Sequence, residues 1–219
     1  MKFKVIINNR NRLSTTKKMV EDLLDRNTQE IWIIDNESTY EPLLDWYQNA
    51  PTEVRIIKEH NAGHLALFST GLINQISEDW CFYTDSDIQL NPSMPKEYQE
   101  IMLDTALRLN SKKIGLAIDI SDLPDYYFIK PQVLRNEARW WSNEVEPNIY
   151  EAHTDTTFCL IQKVDQFESF RIAGDFTCKH MPWYIDLEKL DEEEKYYLDN
   201  CSDHRVTQYS KQHKHKKEM

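Results

Sequence analysis

The chain has 219 residues, 40% of them hydrophobic and 29% charged, with a formal net charge of −11. That length and composition suit a globular domain with a core of useful size, whereas the acidic balance argues against a general nucleic-acid binder, which carries a basic stripe. No stretch approaches the run of roughly 20 apolar residues that spans a membrane, and the opening MKFKVIINNRNR lacks the apolar core and cleavage site of a secretory signal.

Residues 3–8 (FKVIIN) form a first strand, and 14–26 a helix with Ser14 as its N-cap and Met19, Val20, Leu23 and Leu24 on one face. Residues 30–35 (EIWIID) are a second strand. Ser38 and Glu41 then have capping-box spacing, with Pro42 suited to a first helical turn. A third strand at 54–58 and a third helix at 65–77 follow, then a fourth strand at 80–84, a fourth helix at 96–110 and a fifth strand at 114–118. Short apolar strands alternating with helices predict a parallel sheet covered on both faces. The second half is less regular. Residues 123–142 are rich in aromatics, among them Tyr126, Tyr127, Trp140 and Trp141, and 157–163 is strand-like. The Gly and Pro in 173–184 predict a loop, and Asp191 caps a short helix at 192–199. The basic tail at 203–219 is expected to be flexible. With no internal repeat and no clear linker, one domain over 1–219 is the simplest organisation. Cys81, Cys159, Cys178 and Cys201 form no C-x-x-C pair, so they are expected to be reduced, without zinc, in a cytoplasmic protein.

In parallel sheets, ligands bind beyond the carboxyl ends of the strands. Those ends carry Asn8-Asn9-Arg10-Asn11-Arg12, then Asp35-Asn36, then His60-Asn61-Ala62-Gly63-His64, then Asp85-Ser86-Asp87. Side chains two apart in an extended segment share a side, their Cα atoms roughly 6–7 Å apart. Asp85 and Asp87 therefore repel unless a cation joins them. Carboxylate oxygens suit Mg²⁺ or Mn²⁺, which commonly bind one or two carboxylates together with phosphate oxygens. The competing reading makes both residues caps of the turn before NPSMP.

FYTDSDIQL after a fourth strand resembles the D-x-D segment of GT-A-fold nucleotide-sugar glycosyltransferases. VIINNRNR, IIDNES and HNAGHLAL resemble the corresponding segments of family-2-type enzymes, and DTTFCLI and RIAGDFTCKHMPWY resemble segments of a small, single-domain branch. The resemblance implies a Rossmann-like, mostly parallel α/β sheet with helices on both faces. Residues 1–118 would then be the nucleotide-sugar half and 119–190 the acceptor half. It further implies a UDP-sugar donor, a Mn²⁺ or Mg²⁺ ion, and a glycan or other hydroxyl acceptor. Asp35 would accept a hydrogen bond from uracil with Asn36 nearby. Asn9, Arg10, Arg12, Asn61, Gly63 and Ser86 would line the nucleotide pocket. Asp85 would touch ribose or metal, Asp87 would be the main metal ligand, and His180 would reach back to the metal or diphosphate. Inverting transfer needs a base facing the acceptor hydroxyl. Asp155 holds the place that base usually occupies, with Glu151 and Asp119 in reserve, although the E-D pair of the larger family is missing. The aromatics at 126–141 would either stack on sugar rings or pack the fold. A non-catalytic nucleotide-sugar or glycan-binding protein stays open as the alternative. A sugar nucleotidyltransferase is disfavoured because NNRNRLST has no Gly. A haloacid-dehalogenase-type phosphatase is disfavoured because the D-x-D follows the fourth strand.

Overall fold

The computed structural model describes residues 3–163 and 169–201; the tail at 203–219 lies outside them. Four parallel strands form one half of the sheet: β1 (Val5–Asn9), β2 (Ile31–Asn36), β3 (Val54–Glu59) and β4 (Cys81–Asp85), in the order β3-β2-β1-β4. Alternate residues feed two cores. Val5, Ile7, Ile31, Ile33 and Phe82 pack with Met19 and Leu23 of α1 (Ser14–Asp25) and Tyr98 and Met102 of α4 (Tyr98–Arg108). Ile6, Trp32, Ile34 and Tyr83 pack on the other face with Leu67 and Leu72. Burial on both faces is why β1, β2 and β4 are largely continuous apolar runs; β3, at the edge, is only partly buried.

Beyond β4 the sheet is mixed. β6 (Lys113–Ile118) does not pair with β4, because the short β9 (Cys159–Ile161) lies between them, antiparallel to both. Next to β6 runs β10 (Phe170–His180), which also pairs with β5 (Ile88–Leu90) and β8 (Ile149–Glu151); β7 (Glu144–Glu146) closes the edge. Between β6 and the sheet edge lies α5 (Lys130–Ala138), with Val133 packed against Leu123 and Tyr127.

The expected loop at 173–184 is instead the second half of β10 and a 3₁₀ turn at Met181–Tyr184. Gly174 adopts φ +65, and the pairing of β10 with β6 jumps between Ile172 and Thr177. The glycine marks a bulge within a strand, not its end. The strand resumes in register with β5, setting His180 opposite Ile88, one residue from Asp87.

The expected third helix breaks into a 3₁₀ turn at Gly63–Leu65, α3 (Ala66–Ser69) and a 3₁₀ turn at Leu72–Gln75. Gly71, at φ +77, ends α3 in the left-handed region that glycine enters freely. Neither Ser14 nor Ser38 caps as expected. At α1 the Leu13 and Ser14 amides donate to the Glu193 carboxylate of α6 (Glu192–Asn200), at 3.0 Å and 3.0–3.1 Å. Ser38 Oγ instead accepts from the Asn11 amide at 2.9 Å, and α2 (Glu41–Gln48) starts without a side-chain cap but with Pro42 in its first turn. α6 itself is capped as expected, with Asp191 accepting from the Glu194 amide at 2.8 Å. None of the four cysteines forms a disulfide. Among the described residues no helix is long and apolar enough to cross a membrane.

Gly115 of β6 sits under Thr154, where a Cβ would come within 2.1 Å of Thr154 Cγ2. The segment before β9 lies against the sheet only because that side chain is missing. Gly115→Ala is expected to cost about 1–3 kcal/mol, as overpacking does, read as a lowered urea midpoint with an unchanged m-value.

Candidate active site

A cavity of about 420 Å³ opens beyond the carboxyl ends of β1, β2 and β4. Its walls include Asn9, Arg10, Arg12, Asn36, Asn61, Gly63, Asp85, Ser86, Asp87 and His180, so most of the residues singled out in the sequence converge there. Two do not. Asp35 is 3% exposed and lies behind the wall, accepting from Tyr47 Oη at 3.3 Å and the Ser38 amide at 3.4 Å. Burial raises its pKa. Asp155 is exposed and lines a smaller neighbouring cavity of about 100 Å³; His64 borders both. Of the reserve bases, Glu151 is bonded to Asn143 Nδ2 at 2.7 Å, and Asp119 accepts from the Ser121 amide at 2.9 Å. Neither lines either of these two cavities.

Asp85 ends β4 and is held at both oxygens. Oδ1 accepts from Asn8 Nδ2 at 3.2 Å, and Oδ2 accepts from Thr156 Oγ1. Its own amide donates to the Thr156 carbonyl at 2.9 Å, which ties the segment before β9 to the end of β4. Burial, followed by the charge of Asp87, pushes the Asp85 carboxyl up to about 8. Asp87 is less satisfied. Its buried Oδ1 has no hydrogen-bond partner among the described residues, and His180 Nε2 stands 3.8 Å away. His180 Nδ1 is also without a partner among them, and its ring meets Trp183 edge-on at 4.9 Å. Two converging carboxylates, an orphaned oxygen and an open imidazole fit a divalent cation such as Mn²⁺. Among the described residues no three His, Cys, Asp or Glu side chains close on one point, so such an ion would complete its shell with ligand oxygens or water.

The cationic side of the cavity is uneven. Arg10 forms no ion pair with any described residue, and its buried Nε is unbonded. Arg12, 4% exposed, pairs with Glu194 of α6 and lies 3.7 Å from the centroid of the Tyr197 ring. No local signal announces that α6 closes this end of the cavity with Tyr197 and Asn200, because nothing in a capped polar helix says what it packs on. The aromatic set divides. Trp140 stacks on His153 at 5.7 Å and Trp141 packs on Tyr150, while Tyr127 is buried. Tyr126 is exposed and donates to the Tyr184 carbonyl at 2.8 Å.

Residues 4–107 match the family model for glycosyl transferase family 2. The fold is similar to that of the mannosyltransferase PcManGT from Pyrobaculum calidifontis, solved in complex with GDP-Man and Mn²⁺. The TM-score is 0.52 at 12% identity, over 90% of this chain and 59% of that one. The fold is a GT-A glycosyltransferase fold. A sequence search of curated proteins found no match. The family match covers the four parallel strands and the Asp85–Asp87 pair. The segment before β9, with Asp155, and β10, with His180, lie outside it.

Two outcomes follow from this GT-A site. Because the folded-state pKa of Asp85 is raised, the native protein binds a proton that the unfolded chain releases above about pH 4. Its contribution to stability therefore falls as pH rises from about 4 to about 8. Asp85→Asn removes that slope, so metal-free unfolding should show the variant gaining on the parent across that window. Glu194→Ala leaves the Arg12 charge buried and unpaired, and is expected to cost about 3–5 kcal/mol in urea unfolding. The double variant Arg12→Met/Glu194→Met should lose clearly less.

Proposed function

We propose that this chain is a metal-dependent glycosyltransferase that moves a sugar from a nucleoside-diphosphate sugar to an acceptor hydroxyl with inversion. The carrying observation is the Asp85–Asp87–His180 cluster, with its orphaned Asp87 oxygen, at the carboxyl end of β4 in a GT-A fold. Residues 1–118 form the donor half and 119–190 the acceptor half of one domain. The donor is proposed to be a UDP-sugar, on the likeness of IIDNES and the segments around it to family-2 sequences; the archaeal mannosyltransferase, solved with GDP-Man, makes GDP the nucleotide to test beside it.

Asn9, Arg10, Asn36, Asn61, Gly63 and Ser86 bind the nucleotide, with Arg10 facing the diphosphate. Asp35 orders the base end through Tyr47, whose hydroxyl also accepts from Asn9 Nδ2 at 2.8 Å. Asp85, Asp87 and His180 would hold Mn²⁺ or Mg²⁺, which neutralises charge on the departing diphosphate. Asp155 takes the proton of the acceptor hydroxyl as its oxygen bonds to the anomeric carbon and the bond from that carbon to the diphosphate breaks. Asp155 suits this role because it is exposed, one residue from Thr156, whose hydroxyl and carbonyl fix it to Asp85.

Calorimetry with UDP, GDP and TDP, each with and without Mn²⁺, tests the reading. Metal-dependent binding of one nucleotide is expected, with UDP favoured, and Asp87→Ala should lose it. Asp155→Asn should keep nucleotide binding and lose at least a hundredfold in transfer. Transfer by Asp155→Asn at the parent rate would remove Asp155 as base. No nucleotide binding by the folded parent would remove the transferase reading, and binding without turnover would favour a non-catalytic nucleotide-sugar-binding protein.

A further inference from the structure

We propose that the small cavity beside Asp155 is an acceptor subsite for an oxyanion, with the Lys113 ammonium as its recognition charge. This rests on the transferase reading above and specifies the chemistry of its acceptor.

Lys113 opens β6, in register with Ile161, which pairs on its other side with Cys81. The opposite face of β6 sends Ile114, Leu116 and Ile118 into the main core. Lys113 thus occupies a position where neighbouring strands place Cys81, Tyr83, Cys159 and Ile161. It is 7% exposed, yet it forms no ion pair with any described residue. Lys4 shows how this chain treats a buried lysine of structural purpose. At 8% exposed, Lys4 is held by Glu78 at 2.6 Å and Glu30 at 3.3 Å. Burying an ammonium without a counter-charge is unfavourable, and at Lys113 the side chain lines a cavity instead of meeting a carboxylate.

The other walls suit an anion's oxygens. His153, Thr154 and Thr156 supply an imidazole and two hydroxyls. Burial, then the charge of Lys113, holds the His153 pKa below its ordinary value, so the ring is neutral and able to donate a single hydrogen bond. Trp140 stacks on that ring at 27° and fixes its plane. Thr154 reaches this position only over Gly115. The cavity, at about 100 Å³, has room for a carboxylate or phosphate group. Lys113 is buried and Asp155 exposed, so the charged group enters while the acceptor hydroxyl stays outside, near Asp155 and the His64 border with the donor cavity. The acceptor class is therefore a hydroxyl compound bearing a carboxylate or a phosphate.

The test follows the His153 ring signals by NMR during titration with glucuronate, glycerol 3-phosphate, glucose and glycerol. One or both anions should shift His153 where the neutral pair does not, and the anion that acts assigns carboxylate or phosphate. Lys113→Met should weaken that binding at least tenfold, and Lys113→Arg should retain it. If neither anion shifts His153 in the parent, or if Lys113→Met binds them as the parent does, the subsite is wrong. Nucleotide titration of the same samples keeps the two readings apart. Nucleotide binding without an anion response sinks the subsite alone, whereas an anion response without nucleotide binding keeps an oxyanion site and sinks the transferase.

Discussion

A carboxylate that ends a buried strand and a second in the turn that follows it, both facing one cavity, set the terms for everything around them. The segment after Asp85 is a turn, not the extended run expected from the sequence, and it still brings Asp87 to the same cavity; burial, followed by the charge of Asp87, raises the Asp85 pKa to about 8. The surrounding structure offsets this piecemeal. Asn8, itself bonded by Asn36, donates to one oxygen of Asp85, and Thr156 donates to the other. Asp87 receives no such bond at Oδ1 among the described residues. A merely structural pair of caps would be satisfied at both members. One satisfied and one orphaned carboxylate is the pattern expected when the missing partner comes from outside the chain.

The same pair explains why distant segments converge. β10 is deflected by its bulge at 173–176 and re-enters the sheet beside β5, and this alone delivers His180 to Asp87. The segment before β9 crosses Gly115 and is clamped to Asp85 through Thr156, which carries Asp155 to the neighbouring cavity. At the far end α6 holds the loop after β1 through Glu193 at the start of α1 and Glu194 on Arg12, and the loop after β2 through Tyr196 Oη on the Thr39 carbonyl at 2.8 Å. These contacts are polar and mutually dependent, so the helix acts as a brace on this end of the cavity. They also give Arg12 a structural role as the partner of Glu194.

The first half of the fold was legible because its signals are local. Apolar runs of four to six residues, each ending in polar groups, specify buried parallel strands and mark their carboxyl ends in the same stroke. Nine of the twelve residues singled out line the cavity for that reason. What was not legible depends on long-range packing. Gly174 looks like a loop signal because a bulge and a loop ask for the same left-handed residue. Ser14 has the chemistry of a cap, but Glu193, 179 residues away in sequence, takes the amide. No local pattern announces that β9 separates β4 from β6, or that Asp35 turns from the cavity toward Tyr47.

The acidity of the chain and the anionic character of its proposed ligands are compatible because charge acts locally at these distances. At physiological ionic strength exposed charges are screened beyond about 8 Å, so a net charge of −11 does not decide what a buried site binds. What decides it is the sign of the groups that face inward. In the larger cavity these are Arg10 and a carboxylate pair suited to a cation; in the smaller one they are the buried Lys113, with no described carboxylate in salt-bridge contact, and the exposed Asp155. His64 stands where the two cavities meet. A bond formed between ligands held in each must form at that junction, and Asp155 is the exposed carboxylate beside it.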